Sequence, residues 1–504
     1  MKAVDNRAII ELGLPARLLM ENAGKGCADY LLQHYMTNLS GKVLILHGDG
    51  NNSGDGFVVA RYLFLAGINV ALVKVHSGAM SAETQANLDI CTKLGIPQFI
   101  ATEMQDSAWL KGHIMSSSVI IDAIFGLGFR GQLSSCLQEL FSFIQHSPAK
   151  KVALDIPSGV SADTGSGDDA FKADVTLCIH APKLGSLIHA GKFKSGLIHV
   201  IPIGIPDFYN EAEHAATHID KLCHQYPQRY YAAHKGLYGR VIVIGGSLGY
   251  LGSVNMAAKA ALRAGAGFVN LYSRVEFQEY YSTNPAEIMF IAIPQDEETL
   301  YSDEDPLLPD EETLLMLISK ASCIVIGPGM GLDQFAHKLL EIVLKHSKIP
   351  TIVDADALHL IATNASFKKY LKKPNILLTP HYGEFCALAK TDVPTLMNDV
   401  LGSLADFVQK TKAKVLLKSD TTIYHDGMHT YINTSGNDGL ATGGSGDVLA
   451  GIIASFTAQG MELGKAAINA SYLMGKTAEY LATKRGTPSI TPSDIIDNLF
   501  VHEE

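Results

Sequence analysis

Two successive runs of strand–helix alternation, one ending near residue 205 and one starting near residue 239, constrain this chain more than any other feature. In the first, Lys42–His47, Asn69–Val75, Ser118–Ala123 and Lys151–Ile156 are short, continuously apolar runs, as expected of strands buried on both faces of a parallel sheet. Between them, Asp55–Gly67 and Ala82–Gly95 have helical spacing and end in glycine, a common helix stop. Val175–Ile179 and Leu197–Pro202 complete that sheet. The second alternation runs through Gly239–Gly245, Gly267–Tyr272, Ser322–Gly327, Ile349–Asp354, Asn375–Thr379 and Lys414–Lys418. It closes on two long helical stretches, Asp447–Gln459 and Glu462–Lys484. Such alternation predicts doubly wound α/β layers, and 504 residues exceed one ordinary core. The expectation is two α/β domains, 1–210 and 230–504, joined by a polar linker with some helix at 211–229. The acidic stretch Asp296–Glu312 reads as a solvated loop or a helix start.

Composition narrows the ligands. A net charge of −11 argues against a general nucleic-acid or membrane-surface binder, which needs a basic face. Backbone amides can still hold a phosphate inside an acidic protein. None of the seven cysteines forms a C-x-x-C pair or a metal-finger spacing, so they read as buried small hydrophobes in a reducing compartment. There is no basic segment followed by an apolar run at the start, and no apolar stretch long enough to span a bilayer. A cytoplasmic protein acting on small molecules is the expectation.

In the first half, His47-Gly48-Asp49-Gly50-Asn51-Asn52-Ser53-Gly54-Asp55-Gly56 follows a strand and opens a helix. Glycines permit close backbone approach, and a helix start offers free amides to a phosphate. A bare turn does not need so many polar groups, although the G-x-G-x-x-G spacing of dinucleotide sites is not met. Two more strand ends carry acids: Asp122, leading into Gly126–Gly131, and Asp155, followed by Pro157-Ser158-Gly159. Polar strand ends converge on one crevice in an open α/β sheet, though any one acid could instead cap a helix. Asn, Asp and Ser oxygens here suit a hard cation or a ribose equally well.

LLMENAG (Leu18–Gly24), GDGNNSGDG (Gly48–Gly56), DAIFGLG (Asp122–Gly128), ALDIPSG (Ala153–Gly159) and APKLG (Ala181–Gly185) stand in the same order as in the NAD(P)H-hydrate epimerase domain, which residues 1–210 resemble. The resemblance implies a Rossmann-like fold and interconversion of the R and S epimers of NADHX and NADPHX. It places Asn51, Asn52, Ser53, Gly54 and Asp55, with Gly126, Leu127, Gly128, Phe129, Arg130, Gly131 and Gln132, along the hydrated dinucleotide. Asp155 would contact the substrate and do acid/base work, and Asn52, Asp122 and Ser158 would bind a potassium ion (K+). Ser53 stands where the family often has glycine, and Leu127 where threonine is common.

In the second half, Gly436–Asp447 (GNDGLATGGSGD) runs directly into an apolar helix. Successive glycine amides at a helix start make an anion hole. An aspartate at its mouth can take a proton from a hydroxyl that attacks a phosphoryl group. A flexible loop capped by Asp447 explains the cap but not the glycines. Taken singly, Lys418 reads as a surface lysine and His381 as a cap. Together, HKGLYGRVIVIGGSLGYLGS, ALRAGAGFVNLY, IGPGMG, DADAL, LTPHYGEF and GNDGLATGGSGDVLAG are similar to a ribokinase-like fold, in particular the NAD(P)H-hydrate dehydratase domain. That family removes water from the S epimer while consuming a nucleotide, and its fused bacterial and archaeal members imply ADP in preference to ATP. By position, Lys418, Ser419, Asp420, Thr421 and Thr422, with Asn437, Asp438, Gly439, Leu440, Ala441, Thr442, Gly443, Gly444, Ser445 and Gly446, would hold ADP. Gly329, Gly331, His381, Tyr382, Gly383, Glu384, Phe385, Cys386 and Ala387 would shape the hydrated-nicotinamide side, with Asp447 facing its hydroxyl. Mg2+ would screen the phosphates. Asp438 replaces a family proline and adds like charge, so it must point away or meet a cation.

Both resemblances point at one metabolite, and fused relatives imply a homo-oligomer. Two other readings remain: an ATP-dependent kinase of a small hydroxylated metabolite, which leaves the first half unexplained, and a nucleotide-sensing scaffold that has lost turnover.

Overall fold

The computed structural model describes residues 2–36, 41–101, 108–206, 216–219, 225–281, 285–293 and 309–501. The chain divides into two compact units, Met1–His214 and Ala215–Glu504.

The first unit is built on β1 (Lys42–His47), β2 (Val70–Lys74), β3 (Gln98–Ile100), β4 (Ser117–Ala123), β5 (Lys150–Leu154), β6 (Val175–Ile179) and β7 (Leu197–Ile201). They lie in the order β3-β2-β1-β4-β5-β6-β7, and every neighbouring pair is parallel. The continuous apolar runs have a direct cause. Val43 and Ile45 face helices Ala16–Tyr35 and Asn51–Leu65 in one core, while Leu44 and Leu46 face Ala108–Ser116 and Ser135–Gln145 in another. Side chains alternate across a strand, so a sheet covered on both faces needs apolar residues at every position. The order reverses between β1 and β4, which opens a crevice beyond their carboxyl ends, as in Rossmann-like folds.

One helix starts earlier than expected. The helix after β1 begins at Asn51, with Gly50 as its extended N-cap, and not at Asp55. Its glycines serve packing: a Cβ at Gly54 would lie 2.6 Å from the Met20 side chain, and one at Gly56 2.7 Å from the Ala123 Cβ.

The second unit holds ten strands: β8 (Thr217–His218), β9 (Arg240–Ile244), β10 (Phe268–Ser273), β11 (Ile288–Ala292), β12 (Cys323–Ile326), β13 (Thr351–Val353), β14 (Ile376–Leu378), β15 (Lys414–Leu417), β16 (Thr422–His425) and β17 (Thr430–Asn433). Their order is β11-β10-β9-β12-β13-β14-β15-β16-β17-β8. The body is parallel, β15, β16 and β17 are antiparallel, and β8 adds to β17 in parallel. Part of the expected linker is therefore a sheet edge: Ile219 is buried and Tyr226 packs on this unit's core. The rest of that linker at 211–215 and 220–224, and 296–308 of the acidic stretch, lie outside the described residues. Asp310, at the end of that stretch, caps helix Glu311–Ile318.

Helix Ser445–Ala458 is apolar all round because it is buried all round, from Asp447 to its end. Gly451 lets it approach helix Leu251–Arg263 closely; a Cβ there would lie 2.1 Å from the Ala257 carbonyl oxygen. The strand order reverses a second time between β9 and β12. Cys27, Cys91, Cys178, Cys323 and Cys386 are buried thiols and Cys136 is half-buried; Cys223 lies outside the described residues. Among the described residues no helix is long and apolar enough to cross a membrane.

Candidate active sites

At the carboxyl ends of β1, β4, β5 and β6 the first unit encloses a cavity of about 900 Å³. Asn51, Asn52, Asp55, Gly126, Leu127, Gly128, Phe129, Arg130, Gln132 and Asp155 line it. Three expected residues are not part of its lining. The Ser53 hydroxyl accepts from Gly48 N and donates to the Ala123 carbonyl, tying two strand ends together. Gly54 is packed against Met20 and Thr84. Gly131 takes a left-handed turn at φ 89°.

Asp155 directly follows β5 and itself has φ 65°, a strained conformation for a residue with a Cβ. That turn aims its carboxylate back at the end of β6, where Oδ1 accepts from Ile179 N at 3.1 Å and from Lys183 Nζ. Lys183 is 4% exposed and also donates to the Ile179 carbonyl at 2.7 Å. A buried ammonium is stable only when paired in this way. Lys183 lines the cavity; no site role is expected of it from the sequence, where it stands inside APKLG as a lone lysine just beyond an apolar strand. Asp55 stands alongside. Burial and the Asp155 carboxylate push it well above the usual carboxylate range, against the pull of Lys183.

Beneath the same loops lies an oxygen-rich cluster. Asp122 accepts from Ser158 N at 2.7 Å, from Ser158 Oγ at 2.6 Å and from Ile124 N at 3.2 Å. Burial pushes Asp122 up to about 6 in spite of these bonds. Asn52 donates to the Phe125 carbonyl at 2.7 Å and the Leu154 carbonyl at 3.2 Å, while its own Oδ1 is buried with no hydrogen-bond partner among the described residues. A buried acceptor without a donor is costly.

In the second unit, Lys418 leaves β15, and its Nζ lies 2.7 Å from Asp354 Oδ1 at the end of β13. It is no surface lysine: 19% of its side chain is exposed, against 2% for Asp354. Burial alone would lower its ammonium, yet Asp354 and Glu384 hold it above the ordinary lysine range. Ala355, between Asp354 and Asp356, has φ 49°; this turn lets Asp356 accept from Gly331 N at 2.9 Å. The N-terminus of helix Ser445–Ala458 points into this group. A Cβ on Gly446 would lie 3.0 Å from Lys418 Nζ, so glycine brings the helix start close to the lysine. Asp447, 9% exposed in the first turn, is pushed up to about 6 by burial and by Asp354, with Lys418 and a Ser253 hydrogen bond opposing. The helix dipole further favours negative charge there.

The other expected residues divide. His381 does cap helix Tyr382–Ala389, its Nδ1 accepting from Gly383 and Glu384 amides while Glu384 accepts from His381 N. A backbone bridge also pairs His381 with Lys418, placing it beside the site. Gly383 and Ala387 share an exposed face, whereas Phe385 and Cys386 point into the core, Phe385 against Phe407. Tyr382 is half-buried, and its burial pushes the phenol up to about 12. Ser419 closes the β15–β16 turn by bonding Thr421, Thr421 is 1% exposed, Asp420 is exposed and Thr422 opens β16. Asn437 anchors its loop to the Ala478 carbonyl and caps the short turn Asp438–Leu440, with Gly439 buried. Asp438 is exposed, as are Ala441, Thr442 and Gly443 before Gly444 (φ 100°) and Ser445 start the helix. Gly329 and Gly331 both have positive φ; a Cβ at Gly329 would meet the Tyr250 carbonyl at 2.5 Å.

Comparison with known proteins follows the same division. Residues 241–500 match a family described as NAD(P)H-hydrate dehydratase, and residues 16–185 one described as YjeF-related protein N-terminus. A solved ribokinase-like superfamily protein from Enterococcus faecalis shares 29% identity at a TM-score of 0.50, over 57% of this chain and 96% of that one. The molecule is thus a two-domain α/β enzyme, Rossmann-like in its first unit and ribokinase-like in its second. Over nearly its whole length it is similar to the bifunctional NAD(P)H-hydrate repair enzymes of Moorella thermoacetica (34% identity, 99% of this chain and 94% of that protein) and Escherichia coli (32%, 97% and 90%). The chain belongs to the family of bifunctional NAD(P)H-hydrate repair enzymes.

Proposed function

We propose that this chain returns hydrated nicotinamide dinucleotides to use: its first unit interconverts the R and S epimers of NADHX and NADPHX, and its second removes water from the S epimer with consumption of a nucleotide, ADP in preference to ATP. The observation that carries this reading is the pairing of two different sites on one chain. One is a cavity with the acid–ammonium couple Asp155–Lys183. The other is a glycine-rich helix start with a raised carboxyl at its mouth.

In the second site the amides of Gly444–Gly446 and the Lys418 ammonium stabilise charge on the transferring phosphoryl group. Asp447, ionised above about pH 6, accepts the proton of the substrate hydroxyl as its oxygen attacks phosphorus. Phosphate, a far better leaving group than hydroxide, then departs as the ring-nitrogen lone pair forms a C=N bond, and loss of the adjacent ring C–H proton to solvent restores the C=C bond of the reduced nicotinamide. Among the described residues no three acidic, histidine or cysteine side chains form a ready metal cage. Mg2+ fits best as an ion held through the nucleotide phosphates and water, screening their charge.

In the first site Asp155 and Lys183 are placed to exchange protons with the hydrated ring. The oxygen set of Asn52, Asp122, Ser158 and the Phe125 carbonyl fits K+, because the Asn52 Oδ1 lacks a donor and every nearby group offers oxygen. K+ there would neutralise Asp122 and stiffen the loops that floor the cavity.

The test is recovery of reduced-nicotinamide absorbance from an R/S mixture of NADHX, with ADP, ATP or neither, in Mg2+ and K+. Complete recovery with ADP, against a slow enzyme-free control, is expected. Recovery of the S fraction alone removes the epimerase reading, and none with either nucleotide leaves a metabolite kinase.

A further inference from the structure

The first cavity has a wall that the family motifs leave out. The matched residues begin at 16, whereas helix Lys2–Glu11 precedes them. Val4 and Ala8 of that helix are buried against Leu19, Ala23, Ile203 and Ile205. Leu14 N donates to the Ala8 carbonyl at 3.2 Å as the chain turns back. With Val4 and Ala8 fixed on the inner face, the adjacent positions Asp5, Asn6 and Ile9 line the cavity. Asp5 therefore stands on the same wall as Asp55, Asp155 and Lys183. Three carboxylates around one buried ammonium repel one another when all are ionised.

We propose that Asp5 is a positioning residue of the epimerisation site: its carboxylate stands on the wall that also carries Asp55, Asp155 and Lys183, adds a third negative charge around that ammonium, and so sets the pH range in which the cluster works. This rests on the epimerase reading of the cavity. The groups acting on Asp5 are Lys183, the chain's amino group, Asp155 and His180, and Asp5 acts in turn on Asp55. Burial raises Asp5 itself against the pull of Lys183. Carboxylates crowded around one ammonium are suited to passing a proton to and from a ring carbon in either direction.

Asp5→Asn removes the charge at nearly constant shape. The experiment follows kcat/KM for NADHX epimerisation against pH, with dehydration of S-NADHX in the same sample reporting on the second unit. The acid limb is expected to move to lower pH by about half a unit or more, with dehydration unchanged, and Asp5→Glu should bring it back. The 13C carboxyl titration of Asp55 should move the same way without substrate. A limb and an Asp55 titration that superimpose on wild type overturn the proposal, as does failure of Asp5→Glu to restore what Asp5→Asn changes. Wild-type protein that does not epimerise overturns the epimerase reading instead, and the Asp55 titration still decides whether Asp5 charges the cluster.

Discussion

The position proposed for Asp447 as the base comes at a cost in stability. Burial and Asp354 raise it to about 6 from an ordinary 3.8, which amounts to about 3 kcal/mol of strain once it is ionised. A raised carboxyl contributes stability that is fully present below its unfolded pKa and lost as pH rises through the folded one. Asp447→Asn should therefore be more stable than wild type at pH 8, with the difference vanishing towards pH 4, as chemical denaturation at the two pH values will show. The same variant should lose dehydration and keep epimerisation. In wild type, dehydration should fall as pH drops through about 6, because a protonated Asp447 cannot accept the hydroxyl proton. Lys418→Met removes a cation that opposes the rise, so its acid limb should lie higher. It also leaves Asp354 buried without a partner, at a cost of about 3 kcal/mol in the denaturation midpoint analysis. The motifs that hold Lys418 and Asp354 were legible in sequence, but their pairing was not: taken singly Lys418 looked like a surface residue, and the 64 residues separating it from Asp354 are bridged only by sheet order.

At the scale of elements, close approach decides what can change. Helix Ser445–Ala458 crosses Leu251–Arg263 where Gly451 meets the Ala257 carbonyl. A valine there must push the two helices apart, and overpacking of this kind costs about 1–3 kcal/mol. Gly451→Val should lower the melting temperature and weaken dehydration together, since the same helix carries Asp447; a variant matching wild type in both would refute the close crossing. The parallel strands of both sheets were legible because burial on two faces writes itself as unbroken Val, Ile and Leu. β8, two residues long, was not. Nor was the hairpin β16–β17, whose Asp426 accepts from Met428 and His429 amides to close its turn; its strands mix Thr, Tyr, His and Asn with few apolar residues. The early start of helix Asn51–Leu65 was hidden for another reason: Gly54 and Gly56 look like loop residues, and only the contacts with Met20 and Ala123 show why a helix needs them. The positive φ of Asp155 and Ala355 likewise left no trace, because strain at a site is imposed by its surroundings.

For the whole molecule, the two units have separate interiors. The large core around Val241, Leu271 and Phe456 draws on residues from Ile219 onward, while the cores on either side of the first sheet draw on residues up to Ile201. Each unit also carries its own buried acid–ammonium group, Asp155–Lys183 in one and Asp354–Lys418 beside Asp447 in the other, at the sites proposed above. Ligands stabilise only the unit they bind, by RT ln(1 + [L]/Kd), about 2.7 kcal/mol at a hundredfold excess over Kd. Calorimetry should therefore resolve two transitions. ADP with Mg2+ should raise the one belonging to Ala215–Glu504, and K+ the one belonging to Met1–His214. Asp447→Asn should alter the nucleotide-sensitive transition and leave the other in place. A single transition that both ligands raise together would mean that the cores melt as one cooperative body. The reciprocal experiment would then follow: a ligand bound to one site should change affinity at the other by the same factor in both directions.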